Sequence, residues 1–137
     1  MTDTMLPAPD DLVIHFAHVA YRLSERFALR NSGIQHFQTW DSDSTRAALG
    51  KGHVLVLSGL WDNTLLPHCD KTQFIQVCAA GYNQFDLVAL RQKGLRLANG
   101  RGVNKNAVSE HAMALMLSFT RLLYSTRDYQ RDKHWRN

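Results

Sequence analysis

Apolar positions in this chain fall into short runs with two different periods. Five runs have strand length: 12–17, 34–40, 53–57, 74–78 and 95–98. The clearest is 53–57, where Val54, Leu55, Val56 and Leu57 stand together before Ser58-Gly59. Between the runs the spacing becomes helical. Leu23, Phe27 and Ala28 share a face within 21–29, and Asn31-Ser32-Gly33 closes that segment. Asp41, Ser42, Asp43 and Ser44 offer N-caps for a short helix ending at Gly50. A brief helix is expected over 62–66, stopped by Pro67. Another is expected over 85–93, with Leu87, Val88 and Leu90 on its buried side and Gly94 as C-cap. A tail over 1–10, carrying Pro7 and Pro9, precedes all of this.

Short strands alternating with helices predict an α/β fold: an open parallel five-stranded sheet with helices on both faces. Right-handed crossovers then bring every strand's carboxyl end to one edge. The turns Ser58-Gly59, Ala80-Gly81 and 99–104 meet at that edge, where open sheets of this kind bind ligands. Small residues let main-chain N–H groups approach an anion there, although each turn taken singly also serves as a tight strand-to-helix connection.

The last segment is different. A long helix is expected from about Asn106 to at least Tyr124, and Ala112-Met113-Ala114-Leu115-Met116-Leu117 is apolar around the whole circumference. Such a helix needs cover on several sides, from a second domain or a partner chain. Its uncharged stretch, 111–120, is too short to span a bilayer.

Composition narrows the classes. The 137 residues are 45% hydrophobic and 20% charged, the range of a folded domain with its own core. The net charge is +4 and the pI about 9.3. The basic residues Arg127, Arg131, Lys133 and Arg136 are interrupted by Asp128 and Asp132, which reads as a solvated face. No zinc-finger, RNA-binding or recognition-helix signature accompanies them, so no nucleic-acid partner is expected. Cys69 and Cys78 match no metal or redox spacing; Cys78, in an apolar run, is expected to be a buried free thiol, which suits a reducing, cytoplasmic setting. No signal peptide, membrane segment or metal site is expected.

The sequence carries no complete catalytic motif of the common kinds. Gly100-Arg101-Gly102-Val103-Asn104-Lys105 begins like a dinucleotide fingerprint, but Lys105 replaces the third glycine and no strand-end acid follows. A Walker A loop, a nucleophile elbow and a receiver-type acidic cluster are missing from the sequence. Glu110-His111 invites an acid–base reading, but helical neighbours diverge by about 100°. Glu110 is better read as an acidic group serving the helix N-terminus.

Three segments carry a resemblance. They are 74–86 (FIQVCAAGYNQFD), 97–104 (LANGRGVN) and 107–112 (AVSEHA). Together they resemble the D-isomer-specific 2-hydroxyacid dehydrogenase family, with Ser109 for the usual Ala, Arg101 where many members have Pro, and Ser58-Gly59 for a commoner Arg-Ser. The resemblance implies a flavodoxin-like substrate-binding domain over 11–103. It also implies that 104–137 is a linking helix opening an NAD(P)-binding domain that this chain would lack. The catalytic Arg, acid and His of the family would lie in that domain, leaving no catalytic residue here. The resemblance places a substrate carboxylate at Ala80 and Gly81 with Ser58 and Gly59 beside it, substrate contact at Asn104, and the nicotinamide near Val108. Trp135 would reach a partner subunit, or be an ordinary surface aromatic. The implied partners are a small 2-hydroxy or 2-oxo acid and a second copy joined through a helix over 106–127. A different class remains open: a stand-alone flavodoxin-like binding or regulatory module that dimerises through the same helix.

Overall fold

The computed structural model describes residues 5–135. It divides into two compact units at the bond between Arg101 and Gly102.

The first unit contains five strands: β1 (Val13–Ala17), β2 (Gln35–Thr39), β3 (Val54–Leu57), β4 (Phe74–Val77) and β5 (Arg96–Ala98). All neighbouring pairs are parallel, and the order across the sheet is β2-β1-β3-β4-β5. The chain moves outward from β1 to β2 and then returns to the other side of β1. The topological switch point therefore lies between β1 and β3.

Alternation along the strands sorts the core into two layers. Ala17, Leu55, Leu57, Ile75 and Val77 point to one face and pack with Leu49, Leu65, Cys69, Phe85 and Leu90. Ile14, Phe16 and Val54 point to the other, against Leu23 and Phe27 of α1 (Leu23–Ala28). The first layer is covered by α2 (Ser42–Ala48), two 3-10 turns, Leu49–Lys51 and Asn63–His68, and α3 (Leu87–Gln92). Of the four cap candidates at 41–44, Asp41 accepts from the Ser44 N–H at 2.8 Å. Pro67 lies inside the second 3-10 turn rather than ending it.

Two expectations about burial are corrected. Leu90 is buried in α3, but Leu87 and Val88, the first two residues of the helix, are exposed. Cys78 is exposed and Cys69 is the buried thiol. Cys78 follows Phe74 and Gln76 on the α1 face of the sheet, where the strand runs out past its cover, whereas Cys69 packs into the other layer.

Glycine is required where Gly52 passes β1. A Cβ there would lie 2.9 Å from the Cβ of His15. His15 is fully buried, with Nε2 2.8 Å from the Thr39 hydroxyl, which lies 2.8 Å from the Thr45 hydroxyl.

The second unit is helical: α4 (Lys105–Thr120) and α5 (Leu123–Arg131). The expected continuous helix over 106–127 is broken. Leu122 adopts a left-handed conformation, φ +52°, and Arg121 ends α4. Nothing in the apolar pattern announces this break, because Leu122 and Leu123 are good helix formers. No residue of α4 is buried within the chain. Among the described residues, no helix is long and apolar enough to cross a membrane.

Candidate functional site

Parallel pairing places the turns after β3, β4 and β5 at one edge of the sheet. Two of them are bonded together. The Gly100 N–H donates to the Ala79 carbonyl at 2.9 Å, and the Asn99 side-chain amide donates to the Ala80 carbonyl at 2.7 Å. These bonds orient the peptide planes. No cis peptide is present among the described residues, and in a planar trans peptide the C=O and the following N–H point in opposite directions. With the carbonyls of Ala79 and Ala80 drawn toward β5, the N–H groups of Ala80 and Gly81 are turned toward β3. The N–H groups of Ser58, Gly59, Ala80 and Gly81 have no acceptor among the described residues. Gly59 has φ +77°, a conformation glycine reaches without strain.

The turns after β3 and β4 are tied to each other as well. Oδ1 of Asn63 accepts from the Trp61 indole N–H at 3.1 Å and from the Asp86 N–H at 3.0 Å. Trp61 stacks on Phe85 with ring centroids 4.9 Å apart. Asp86 in turn caps α3, accepting from the N–H groups of Val88 and Ala89. The Lys93 ammonium reaches the carbonyls of Leu66 and Pro67 at 2.7 and 2.9 Å. The result is a rim of small residues held rigid from behind, with main-chain donors in front. Such a rim suits a carboxylate, which accepts several N–H bonds at once.

Ser58, Gly59, Ala80 and Gly81 thus share one edge. Asn104, Val108 and Trp135 belong to the second unit. Asn104 precedes α4 and its side chain caps nothing; Val108 and Trp135 are exposed, 57% and 87%. Trp135 borders a groove of about 740 Å³ lined by Leu122, Tyr129 and His134. Glu110 is the sixth residue of α4 and lies beyond its first turn, so the N-terminal role expected for it does not hold. Another groove, about 540 Å³, runs along the outer edge of β5 between Tyr82 and Leu95, on the side away from the turned amides.

Asn63 and Asn99 were not singled out as site residues by sequence. Both follow strands in turn-rich stretches, but only the fold reveals that their side chains bond across loops. No group of three potential metal ligands occurs among the described residues. The residues present do not compose a nucleotide site either. The glycines at 100 and 102 lead into a helix with no complete fingerprint, and the described part of the second unit contains no strand to carry the acidic partner.

A doubly wound parallel sheet with unbonded amides at its carboxyl edge is the architecture of an α/β domain of the dehydrogenase type. Residues 17–133 match the D-isomer specific 2-hydroxyacid dehydrogenase, catalytic domain. The chain belongs to this family.

Among curated relatives, erythronate-4-phosphate dehydrogenase of Shewanella loihica is 30% identical over 83 residues, 59% of this chain and 22% of that protein. A D-isomer specific 2-hydroxyacid dehydrogenase family protein from Aeromonas salmonicida superposes with a TM-score of 0.71 at 19% identity, covering 93% of this chain and 41% of that one. A D-lactate dehydrogenase from Treponema pallidum gives 0.69 at 18% identity, covering 90% and 40%. At these identities the structural likeness concerns the fold. The chain therefore spans about a fifth of the curated relative and two-fifths of the structures.

Proposed function

We propose that residues 11–103 are the acid-binding part of an NAD(P)-dependent 2-hydroxyacid dehydrogenase, and that 104–137 begins a segment leading to its nucleotide-binding domain. The observation that carries this reading is the orientation of the Ala80 and Gly81 amides toward Ser58-Gly59, fixed from behind by Gly100 and Asn99. A carboxylate seated there receives charge-assisted bonds without side-chain rearrangement, which is how a site holds a short acid in one orientation. The reaction class of the family is oxidation or reduction at C2 of such an acid. In this reading the present residues bind and orient, with Asn104 near the substrate and Val108 near the nicotinamide. The exposed apolar residues of α4 meet a second copy, and Trp135 reaches that copy. Both cysteines are free thiols, consistent with a reducing, cytoplasmic setting, and the reading includes no nucleic acid or membrane.

The test is an amide NMR titration of the 137-residue chain with pyruvate. The N–H resonances of Ser58, Gly59, Ala80 and Gly81 are expected to shift together. Asn99→Ala, which frees the Ala80 carbonyl, is expected to weaken binding roughly three- to tenfold, the worth of one ordinary hydrogen bond. Saturating pyruvate with no shift at those four amides would refute the reading. The purified chain is also expected to leave NADH unoxidised in the presence of glyoxylate, and measurable turnover would show catalytic groups within these 137 residues.

A further inference from the structure

β5 is the outermost strand on its side of the sheet and pairs with β4 alone. The Arg96 N–H donates to the Gln73 carbonyl at 3.1 Å, so the main chain of Arg96 faces β4. Peptide groups alternate along a strand, which turns the N–H and C=O of Leu97 away from β4, toward the open edge. The Leu97 N–H has no acceptor among the described residues. It is an open rung of the ladder.

Beside this rung runs the groove of about 540 Å³. Its deeper lining is Leu90, Leu95 and Leu97, which belong to the α3-side core or pack against it. Tyr82 and Leu87 line it nearer the surface, still 42% and 49% exposed. A strand added to this edge would lie about 4.8 Å beyond β5, and its alternate side chains would turn to the face that carries the groove.

Charge decides what such a strand carries. No carboxylate lines the groove, whereas Arg91 does. Arg96 stands on the opposite face of β5, since Leu95 and Leu97 take the α3 side. Both arginines are exposed, and neither is ion-paired among the described residues. The same charges disfavour a second copy of this chain. β5 is so short that two such edges paired together would set the Arg96 side chains of the two copies close to one another, and like charges so placed repel.

We infer that the outer edge of β5 and its groove dock an extended acidic segment of a partner protein by strand addition. The segment's main chain bonds Leu97, its apolar side chains enter the groove, and its carboxylates meet Arg96 and Arg91. This inference does not rest on the acid-binding reading.

Three short blocked peptides test it: one of alternating valine and glutamate, one with lysine in place of glutamate, and the glutamate peptide N-methylated on every peptide nitrogen. Each is titrated into the 137-residue chain and followed by amide NMR and hydrogen exchange. The glutamate peptide is expected to shift the Leu97 amide and to slow its exchange roughly tenfold at saturation. The lysine and N-methylated peptides are expected to do neither. The double variant Arg91→Glu and Arg96→Glu is expected to reverse the choice, losing the glutamate peptide roughly tenfold and taking the lysine peptide instead. Should that variant fail to fold, the three peptides on the parent chain decide alone. If the glutamate and lysine peptides act alike, if Leu97 exchange is unmoved, if the N-methylated peptide binds as well as its parent, or if the folded double variant keeps the original preference, then Arg96 only guards the edge and the inference is wrong.

Discussion

At the scale of single residues, the histidines of β1 show how position divides one side-chain type into two roles. His15 is enclosed between Phe37, stacked at 4.5 Å, and the Thr39 hydroxyl, with Nδ1 unpaired. Burial, reinforced by the charge of Lys51, lowers its pKa from 6.5 to about 4. The unfolded chain binds a proton at this residue below pH 6.5, whereas the folded chain resists until about 4. Stability is therefore full above pH 6.5 and falls steadily as the pH drops toward 4, by about 3 kcal/mol for this group. Urea midpoints measured from pH 7 to 4 are expected to follow that fall. His15→Gln, which retains a group near Thr39 but does not titrate, is expected to flatten it. His18, three residues on, instead accepts with Nδ1 from the N–H groups of Ala20 and Tyr21 in the loop after β1. The sequence places His15 inside the apolar run 12–17 and His18 just after it; the role of each depends on strand partners and loop amides that lie far along the chain or emerge only when the bend closes.

At the scale of elements, the caps were easier to read than the faces. Gly94 was read as the stop of α3 and follows its last turn with φ +75°; Asp86, which the expected helix over 85–93 would have enclosed, is instead its N-cap and accepts from both Val88 and Ala89. Asp86→Ala is expected to cost about 1 kcal/mol in a thermal or urea melt. The strands were legible from branched residues to within a residue or two at each end, because a parallel sheet buried on both faces imposes continuous apolar runs. The buried side of α3 was not. Three apolar positions suggested a face, yet only Leu90 is inward, since a helix of six residues has fewer than two turns to present. The break between α4 and α5 was equally hidden. It depends on the backbone of Leu122, with φ +52°, and the neighbouring side chains favour helix.

At the scale of the whole chain, the pattern of exposure carries the strongest prediction. Met113, Leu115, Met116, Leu117 and Phe119 are each at least half exposed, more apolar surface than a soluble helix ordinarily leaves to water. The chain is expected to self-associate by light scattering at micromolar concentration. The double variant Leu115→Glu and Phe119→Glu is expected to be monomeric with an unchanged first unit, and a parent chain that is strictly monomeric would contradict this. Full apolar circumference was visible in the sequence, and α4 has no buried residue; the sequence did not say what would cover it. The candidate site was legible to a similar degree. Gly59, Ala80 and Gly81 stood out as small residues at strand ends, while the bonds that turn the amides of Ala80 and Gly81 come from Asn99 and Gly100 in the turn after β5. Asn63 adds a mechanical corollary. Because a single oxygen anchors the stretches on both sides of the crevice, neither bank can shift without straining the other. Lengthening either stretch by one residue is expected to disturb both; in the proposed function, the fixed spacing between them would select acids by size as well as by charge.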